Sequence, residues 1–406
     1  MNTLDMRAAE SPLPVDASCR ACGSADLRSF FSSPAIPVNN ARVFEERADA
    51  LRVPNGALEL AFCRACGFIQ NPRFDPALVR YDDSYEEQQS FSPTFTAFAD
   101  GLVDDIIERF GLQGKRVVEI GCGKGDFLVA ICERGGNAGL GLDPTIAPDR
   151  LRQRTGTQLT LRREFFGEET GLLDADAVIC RHTLEHIADV RGFVRALRAS
   201  LAGSPHARIF FEVPDVGRVL REGAFWDVYY EHCSYFTTDS LARLFRENGF
   251  TVDDAWLAFG DQYVMLEARI NPDGAAPAGG SEADAEALAA LTASYAERVS
   301  AEMGRWSNTI RAAKDAGERV AVWGSGSKCV AFLSETGTAE LVDAVVDINP
   351  HRQGRFLPST GIQVRAPESL TAAPPDLVVV MNEAYVSEIT AQLASMGLKP
   401  QVEAVG

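Results

Sequence analysis

Along residues 115–270, short apolar runs alternate with stretches whose apolar residues recur every three or four positions. That alternation predicts a doubly wound parallel sheet with helices on both faces. The sharpest unit is VVEIGCGKGDFL at 117–128. Val117, Val118 and Ile120 suit a buried central strand, and Phe127, Leu128 and Ile131 then take helical spacing. Between them, Gly121, Gly123 and Gly125 form a turn that brings backbone N–H groups and a positive helix end to a ligand. The next apolar run ends at Asp143, placed to take the two hydroxyls of a ribose. A third strand is expected at 159–166, ending in Glu164-Phe165-Phe166, and a fourth at 177–182, ending in His182 and leading into Thr-Leu-Glu185-His186. A fifth follows at 208–213, and 251–270 supplies two more, broken at Gly260-Asp261-Gln262.

On either side the pattern changes. Ser92 caps a helix with Pro93 at its first position, and Phe95, Phe98, Leu102, Ile106 and Phe110 give it one buried stripe. Residues 271–280, NPDGAAPAGG, read as a linker. One long helix capped by Ser281 follows, with Leu288, Leu291, Tyr295, Val299, Met303, Trp306 and Ile310 on the face that bridges two domains. Residues 317–406 restart an α/β pattern, with strands at 319–323, 341–347 and 376–381. Four parts are therefore expected: a lobe at 1–84, a ligand-binding domain at 85–270, a linker and bridging helix at 271–316, and a second α/β domain at 317–406.

Composition narrows the function. With 406 residues, 46% of them hydrophobic, the chain can bury several cores. A net charge of −18 argues against nucleic acid or an anionic membrane as the main partner. No stretch approaches the roughly 20 apolar residues of a membrane span. The first 18 residues are polar and acidic with no signal-peptide core, so the chain reads as cytosolic. Its nine cysteines are then thiols or metal ligands rather than disulfides.

Four of those cysteines form two near-identical knuckles, Cys19-Arg-Ala-Cys22-Gly and Cys63-Arg-Ala-Cys66-Gly. Two such pairs present four thiolates tetrahedrally, the arrangement Zn²⁺ prefers, and leave no place for a catalytic water. The zinc would hold the fold. Downstream, Tyr81 and Tyr85 precede the ligand-binding domain and either close over a ligand or pack the seam between domains. The HTLEH string at 182–186 is not HExxH, and His186 reads as packing at a helix start rather than as a catalytic group. The segment at 225–236, FWDVYYEHCSYF, is dense in aromatics and sets a carboxylate beside a histidine. It should overhang the edge of the sheet where ligands bind, and a histidine there can take a proton near neutrality. The turn from Gly324 to Lys328 suits a phosphate, whereas Cys329, where a dinucleotide fold wants glycine, speaks against NAD.

The glycine turn and the acidic strand end at Asp143 resemble motif I and the following acidic position of class I S-adenosylmethionine (SAM)-dependent methyltransferases. By that resemblance Glu119, Gly121, Gly123 and Gly125 hold the amino-acid end of SAM, Asp143 its ribose, and Glu164 or Phe165 its adenine. The segment from His182 to His186 would line the cofactor cleft, with His182 among the binding residues. The order of parts (four cysteines, SAM domain, YxEHxxYF segment, second α/β domain) resembles the nucleotide-sugar C-methyltransferases nearly throughout the chain. That family has a Rossmann-like seven-stranded SAM-methyltransferase domain, flanked by a small zinc-binding lobe and a second Rossmann-like domain. It acts on nucleotide-linked keto-deoxysugars in natural-product and polysaccharide pathways. Tyr229, Glu231 and His232 match its active-site YxEH residues, with His232 as general base removing a proton next to a ketone. The substrate side would then include Tyr81, Tyr85, Lys328, Asn349, Arg352 and Tyr385, on a monomer or weak dimer. Two departures stand out: the family's HGGSLR-like strand is replaced by Phe259-Gly260-Asp261-Gln262-Tyr263, and its C-terminal glycine loop lacks the last glycine. An O- or N-methyltransferase acting on another small metabolite is the alternative, and a SAM-binding sensor or scaffold without turnover is a third.

Overall fold

The computed structural model describes residues 18–82, 84–147, 158–275 and 282–406. The polar leader at 1–17, the linker from 276 to 280 and the expected Ser281 cap lie outside them. Three sheets carry the described chain. The lobe is an antiparallel hairpin of β1 (Leu27–Pro37) and β2 (Asn55–Cys63), with the helical turn α1 (Arg47–Ala50) between them and the short β3 (Ile69–Gln70) alongside β2. Its register runs from Leu27 opposite Cys63 to Pro37 opposite Asn55, so the strand ends carry the two cysteine knuckles together.

The middle domain opens with α2 (Pro93–Phe110), where the Ser92 hydroxyl accepts the Phe95 amide at 3.2 Å and Gly111 ends the helix in the left-handed region. It continues through β4 (Arg116–Ile120), α3 (Asp126–Gly135), β5 (Ala138–Leu142), β6 (Leu159–Arg162), β7 (Ala177–Arg181), α4 (Val190–Ser200), β8 (Arg208–Pro214) and α5 (Val216–Glu222). Next come β9 (Ser234–Tyr235), α6 (Thr238–Glu247), β10 (Phe250–Ala258) and β11 (Tyr263–Ile270). The sheet order is β10-β11-β8-β7-β4-β5-β6, parallel except for β11, which runs against both its neighbours. β4 lies inside the sheet beside the middle strand β7, where the strand order reverses, and the crevice at that switch point is where open α/β sheets bind ligands. β9 does not join this sheet. It pairs with β3 and completes the lobe's four-stranded sheet, tying the 225–236 segment to the knuckles.

Two expected elements change. The strand predicted at 159–166 stops at Arg162, because the chain turns back there with the Glu164 amide on the Arg162 carbonyl at 3.0 Å. The single bridging helix is two, α7 (Glu282–Ala293) and α8 (Tyr295–Asp315). Arg298 makes the joint stable: its guanidinium donates to Leu291 O at 2.6 Å, to the Ser294 hydroxyl at 2.7 Å and to Leu220 O of α5 at 2.7 Å. Those bonds satisfy carbonyls that a helix end leaves open. Leu288, Tyr295, Val299, Trp306 and Ile310 are buried in one core with Phe31, Leu60 and Trp226, so the bridge welds the lobe to the last domain.

The last domain comprises β12 (Val320–Trp323), α9 (Ser327–Thr336), β13 (Ala344–Val346), β14 (Val364–Arg365), β15 (Leu377–Val380), α10 (Val386–Ser395) and β16 (Gln401–Ala404). Its parallel order β14-β13-β12-β15-β16 is Rossmann-like, with two edge strands too short or too polar to show as apolar runs.

Candidate active site

The glycine turn after β4 is built as its sequence requires. Gly121, Gly123 and Gly125 have φ of +71°, +54° and +87°, a region that other residues enter only at a cost. A Cβ on Gly121 would overlap the Thr183 side chain, so the cradle must stay bare. Asp143, just past β5, closes the turn: one carboxylate oxygen accepts the Gly123 amide at 2.9 Å and the other the Thr145 amide at 2.6 Å.

From this turn a cavity of about 1300 Å³ extends to the last domain. Single small-molecule pockets span about 300–1,000 Å³, so it has room for a cofactor and a second sizeable molecule. Glu119, Gly121, Gly123, Asp143, Glu164, Phe165 and His182 are among its lining residues. So are Tyr81, Tyr85, Tyr229, His232, Lys328, Asn349, Arg352 and Tyr385. Two residues expected in the site are absent from its lining. Gly125 caps α3 behind the turn. Glu231 is fully buried, and one of its oxygens accepts the Asn40 amide at 2.5 Å and the Ala41 amide at 3.3 Å. Its carboxylate therefore anchors the lobe beneath the cavity, and burial pushes its pKa up to about 8.

The electrostatics sort the cavity's groups. Glu119 is 3% exposed and has a carboxylate oxygen without a hydrogen-bond partner; burial pushes its pKa up to about 8 against the pull of Arg181. Arg181 itself pairs with the buried Glu212 and lies over the Phe127 ring at 4.1 Å. His182 sits in the left-handed region, φ +47°, 2.9 Å from Glu212 and 3.6 Å from Glu185. Burial opposes its charge, but the two carboxylates outweigh burial and push the imidazole up to about 9. His232 makes no ion pair among the described residues, although Glu185 lies within 4.8 Å of it. Burial, reinforced by His186, His182 and Lys328, holds it well below its ordinary value, so it stays neutral.

His232 is packed under the Tyr229 ring, with centroids 4.1 Å apart, and edge-on to His186 at 4.7 Å. His186 in turn meets the Tyr81 hydroxyl through Nδ1 at 3.1 Å. His186 thus lies in the cavity rather than only packing a helix start, and Glu185 and His186 join His232 in one cluster. The only trace of this in the sequence is the HTLEH string, because the approach of 186 to 232 is made by the fold.

Elsewhere in the lining, Lys328 Nζ lies 3.0 Å from Asp227. Asn349 donates to Glu86 Oε1 at 2.9 Å, and the buried Arg352 donates to the carbonyls of Ala41, Glu86 and Ser325. Tyr385 donates to Gln89 at 3.0 Å. The contacts of Asn349, Arg352 and Tyr385 converge on the strap at 85–92, of which the sequence singled out Tyr85 and Ser92 but not the residues between, because they carry no periodic signal.

In the lobe, the sulfurs of Cys19 and Cys66 are 3.5 Å apart and those of Cys22 and Cys63 3.7 Å, with all four within 4.8 Å of one another. Sulfurs held about 2.3 Å from a tetrahedral ion lie roughly 3.8 Å apart, so the donor set fits zinc. The Gly23 and Gly67 amides close each knuckle on its cysteine carbonyl, at 2.7 and 2.9 Å.

A family model described as a methyltransferase domain matches residues 95–255, and one described as a C-methyltransferase C-terminal domain matches 280–399. The chain is a SAM-dependent methyltransferase, and its last part is similar to a C-methyltransferase C-terminal domain. This methyltransferase is 27% identical over 404 residues to the C-methyltransferase NovU of Streptomyces niveus, across 93% of its own length and 91% of that protein's. A shorter likeness, 39% over 101 residues, links it to a ubiquinone biosynthesis O-methyltransferase of Pseudomonas aeruginosa strain UCBPP-PA14, over 23% of this chain and 43% of that one. Among solved structures, the 1,6-didemethyltoxoflavin-N1-methyltransferase of Burkholderia thailandensis is 19% identical over 45% of this chain and 84% of that one, with a TM-score of 0.36. The residues at the glycine turn fit the cofactor: the cradle is bare, Glu119 offers an unpartnered oxygen, and the cavity is large enough. No helix among the described residues is long and apolar enough to cross a membrane.

Proposed function

We propose that this methyltransferase adds a methyl group to the carbon next to a ketone of a nucleotide-linked deoxysugar, with His232 as general base. The observation that carries the reading is the place of His232, on the cavity lining between the rings of Tyr229 and His186. Such a carbon becomes nucleophilic only when its proton is removed, and methylating a hydroxyl needs no such step at carbon. His232 takes that proton. The phenols of Tyr81, Tyr85 and Tyr229 face the same cavity, and burial holds each protonated, so they can donate to the oxygen on which charge develops. Bound SAM supplies the electrophilic methyl; Glu119, Asp143 and the turn amides hold it, with Glu164, Phe165 and His182 lining the same cavity. Lys328, Asn349, Arg352 and Tyr385 shape the far end, where the nucleotide would lie. The likeness to NovU through both domains supports carbon as the acceptor. Zinc held by Cys19, Cys22, Cys63 and Cys66 keeps the lobe folded.

The test is proton exchange. Incubated in deuterated water with a 4-keto nucleotide sugar and S-adenosylhomocysteine (SAH), the enzyme should exchange the proton α to the ketone, and His232→Ala should not. Methyl transfer to a hydroxyl with no exchange at carbon would replace this reading with O-methylation.

A further inference from the structure

The strap at 85–92 crosses the cofactor turn and is fastened on both sides. Lys124, inside the glycine turn, is 4% exposed and donates to Tyr85 O at 3.2 Å and Thr145 O at 3.1 Å. Asp126, at the start of α3, accepts from Gln88 at 2.8 Å and Ser90 at 2.9 Å. The last domain holds the other side through Asn349, Arg352 and Tyr385. The strap is therefore a fixed wall. At its centre stands Glu87, whose Oε1 is 2.9 Å from where a Cβ on Gly123 would be. Its compensation is slight, since the nearest cation, Lys124 Nζ, is 3.8 Å away and already donates to two carbonyls. Glu119 faces the turn from the strand beneath, with its unpartnered oxygen buried.

We propose that Glu87 is a further cofactor-binding residue, one that takes the ammonium of the amino-acid end of SAM from the side opposite Glu119. Two acidic side chains bracket one bare turn, and the cations beside them, Lys124 at 3.8 Å from Glu87 and Arg181 near Glu119, leave room for one more on the ligand. SAM brings an ammonium and a sulfonium to that point, and SAH keeps the ammonium. The Glu87 side chain is 34% exposed and so open to an incoming ligand; its carboxyl is pushed up to about 7 by the partial loss of water around it, while Lys124 pulls it down. Glu87 belongs to the strap rather than to the strand–turn–helix unit, so the last domain, through Asn349 and Arg352, positions a group that reads the cofactor.

Calorimetry on the full-length enzyme tests this with three ligands: SAM, SAH and 5′-methylthioadenosine, which has the nucleoside but no ammonium. Loss of a charge-assisted hydrogen bond in Glu87→Gln should weaken SAM and SAH about tenfold or more and leave methylthioadenosine unchanged. Glu87→Asp, which keeps the charge but shortens the reach, should fall between the two. Equal weakening of all three ligands would mean that Glu87 contacts the ribose or only shapes the strap, and would overturn the proposal. So would unchanged binding of SAM. Neither readout depends on the sugar substrate, so failure here leaves the carbon-methylation reading untouched.

Discussion

His182 and His232 line one cavity, yet their surroundings drive them to opposite protonation states. His182 lies against Glu212 and Glu185 and is pushed up to about 9, while buried Glu212, drawn down by Arg181 and His182, falls to about 2. A histidine raised in the folded state stabilises it fully below its ordinary value of 6.5, and that stabilisation is lost as pH rises through about 9. Thermal melts of the enzyme and of His182→Gln should therefore differ most at pH 6 and converge towards pH 10; a constant gap would show that the ion pair adds nothing. His232 is held neutral, which leaves its ring free to accept a proton, at some cost in basicity that a bound substrate's charge would offset. His232→Ala should lower methyl transfer about a hundredfold or more while leaving SAM affinity in calorimetry unchanged. A large loss of SAM binding would refute its assignment as base.

At the scale of elements, the two α/β domains repeat one device. In the cofactor domain Asp143, after the second strand, accepts the amide of Gly123 in the first turn and the amide of Thr145. In the last domain Asp347 accepts the amides of Ser325 and Asn349 in the same way, at 2.7 and 2.8 Å. Both turns face the shared cavity, and the strap runs between them. Arg352 is the rivet of that arrangement, 3% exposed, with its guanidinium on carbonyls from the lobe, the strap and its own domain. Arg352→Ala leaves the buried Glu86 and Ser325 carbonyls without the donor that Arg352 supplies, while Ala41 O keeps the Glu86 amide. Urea denaturation should then show a loss of about 3 kcal/mol or more, and Arg352→Lys should recover only part of it, since an ammonium lacks the fork geometry.

In the whole molecule, the lobe's sheet borrows β9 from the segment that carries Tyr229 and His232, and Glu231 grips the lobe's Asn40 and Ala41 amides. Metal and active site are thus mechanically joined although the ion would take no part in the reaction. Metal analysis should find about one zinc per chain. Stripping it with a chelator should lower the melting temperature and abolish methyl transfer together, and undiminished transfer in zinc-free enzyme would break that link.

Local chemistry was legible along the chain. The repeated CxxC pairs declared a four-thiol cluster, the glycines at 121, 123 and 125 declared a bare turn, and the alternation of strand and helix declared the doubly wound sheet, because each depends on residues close in sequence. What lies far apart in sequence and meets in space was decided by the tertiary structure. Glu231, adjacent to His232 in the chain, points into the lobe because neighbours in an irregular segment need not face the same side. His186 reaches His232 across 46 positions, and the bridging helix breaks after Ala293 because Arg298 finds carbonyls on two helices. The strap at 85–92 gains its place from partners in three parts of the molecule, and no periodicity within it could have announced them. Backbone geometry and ligand valence are written locally; the burial and pairing that set charge and proton affinity exist only once the chain has closed.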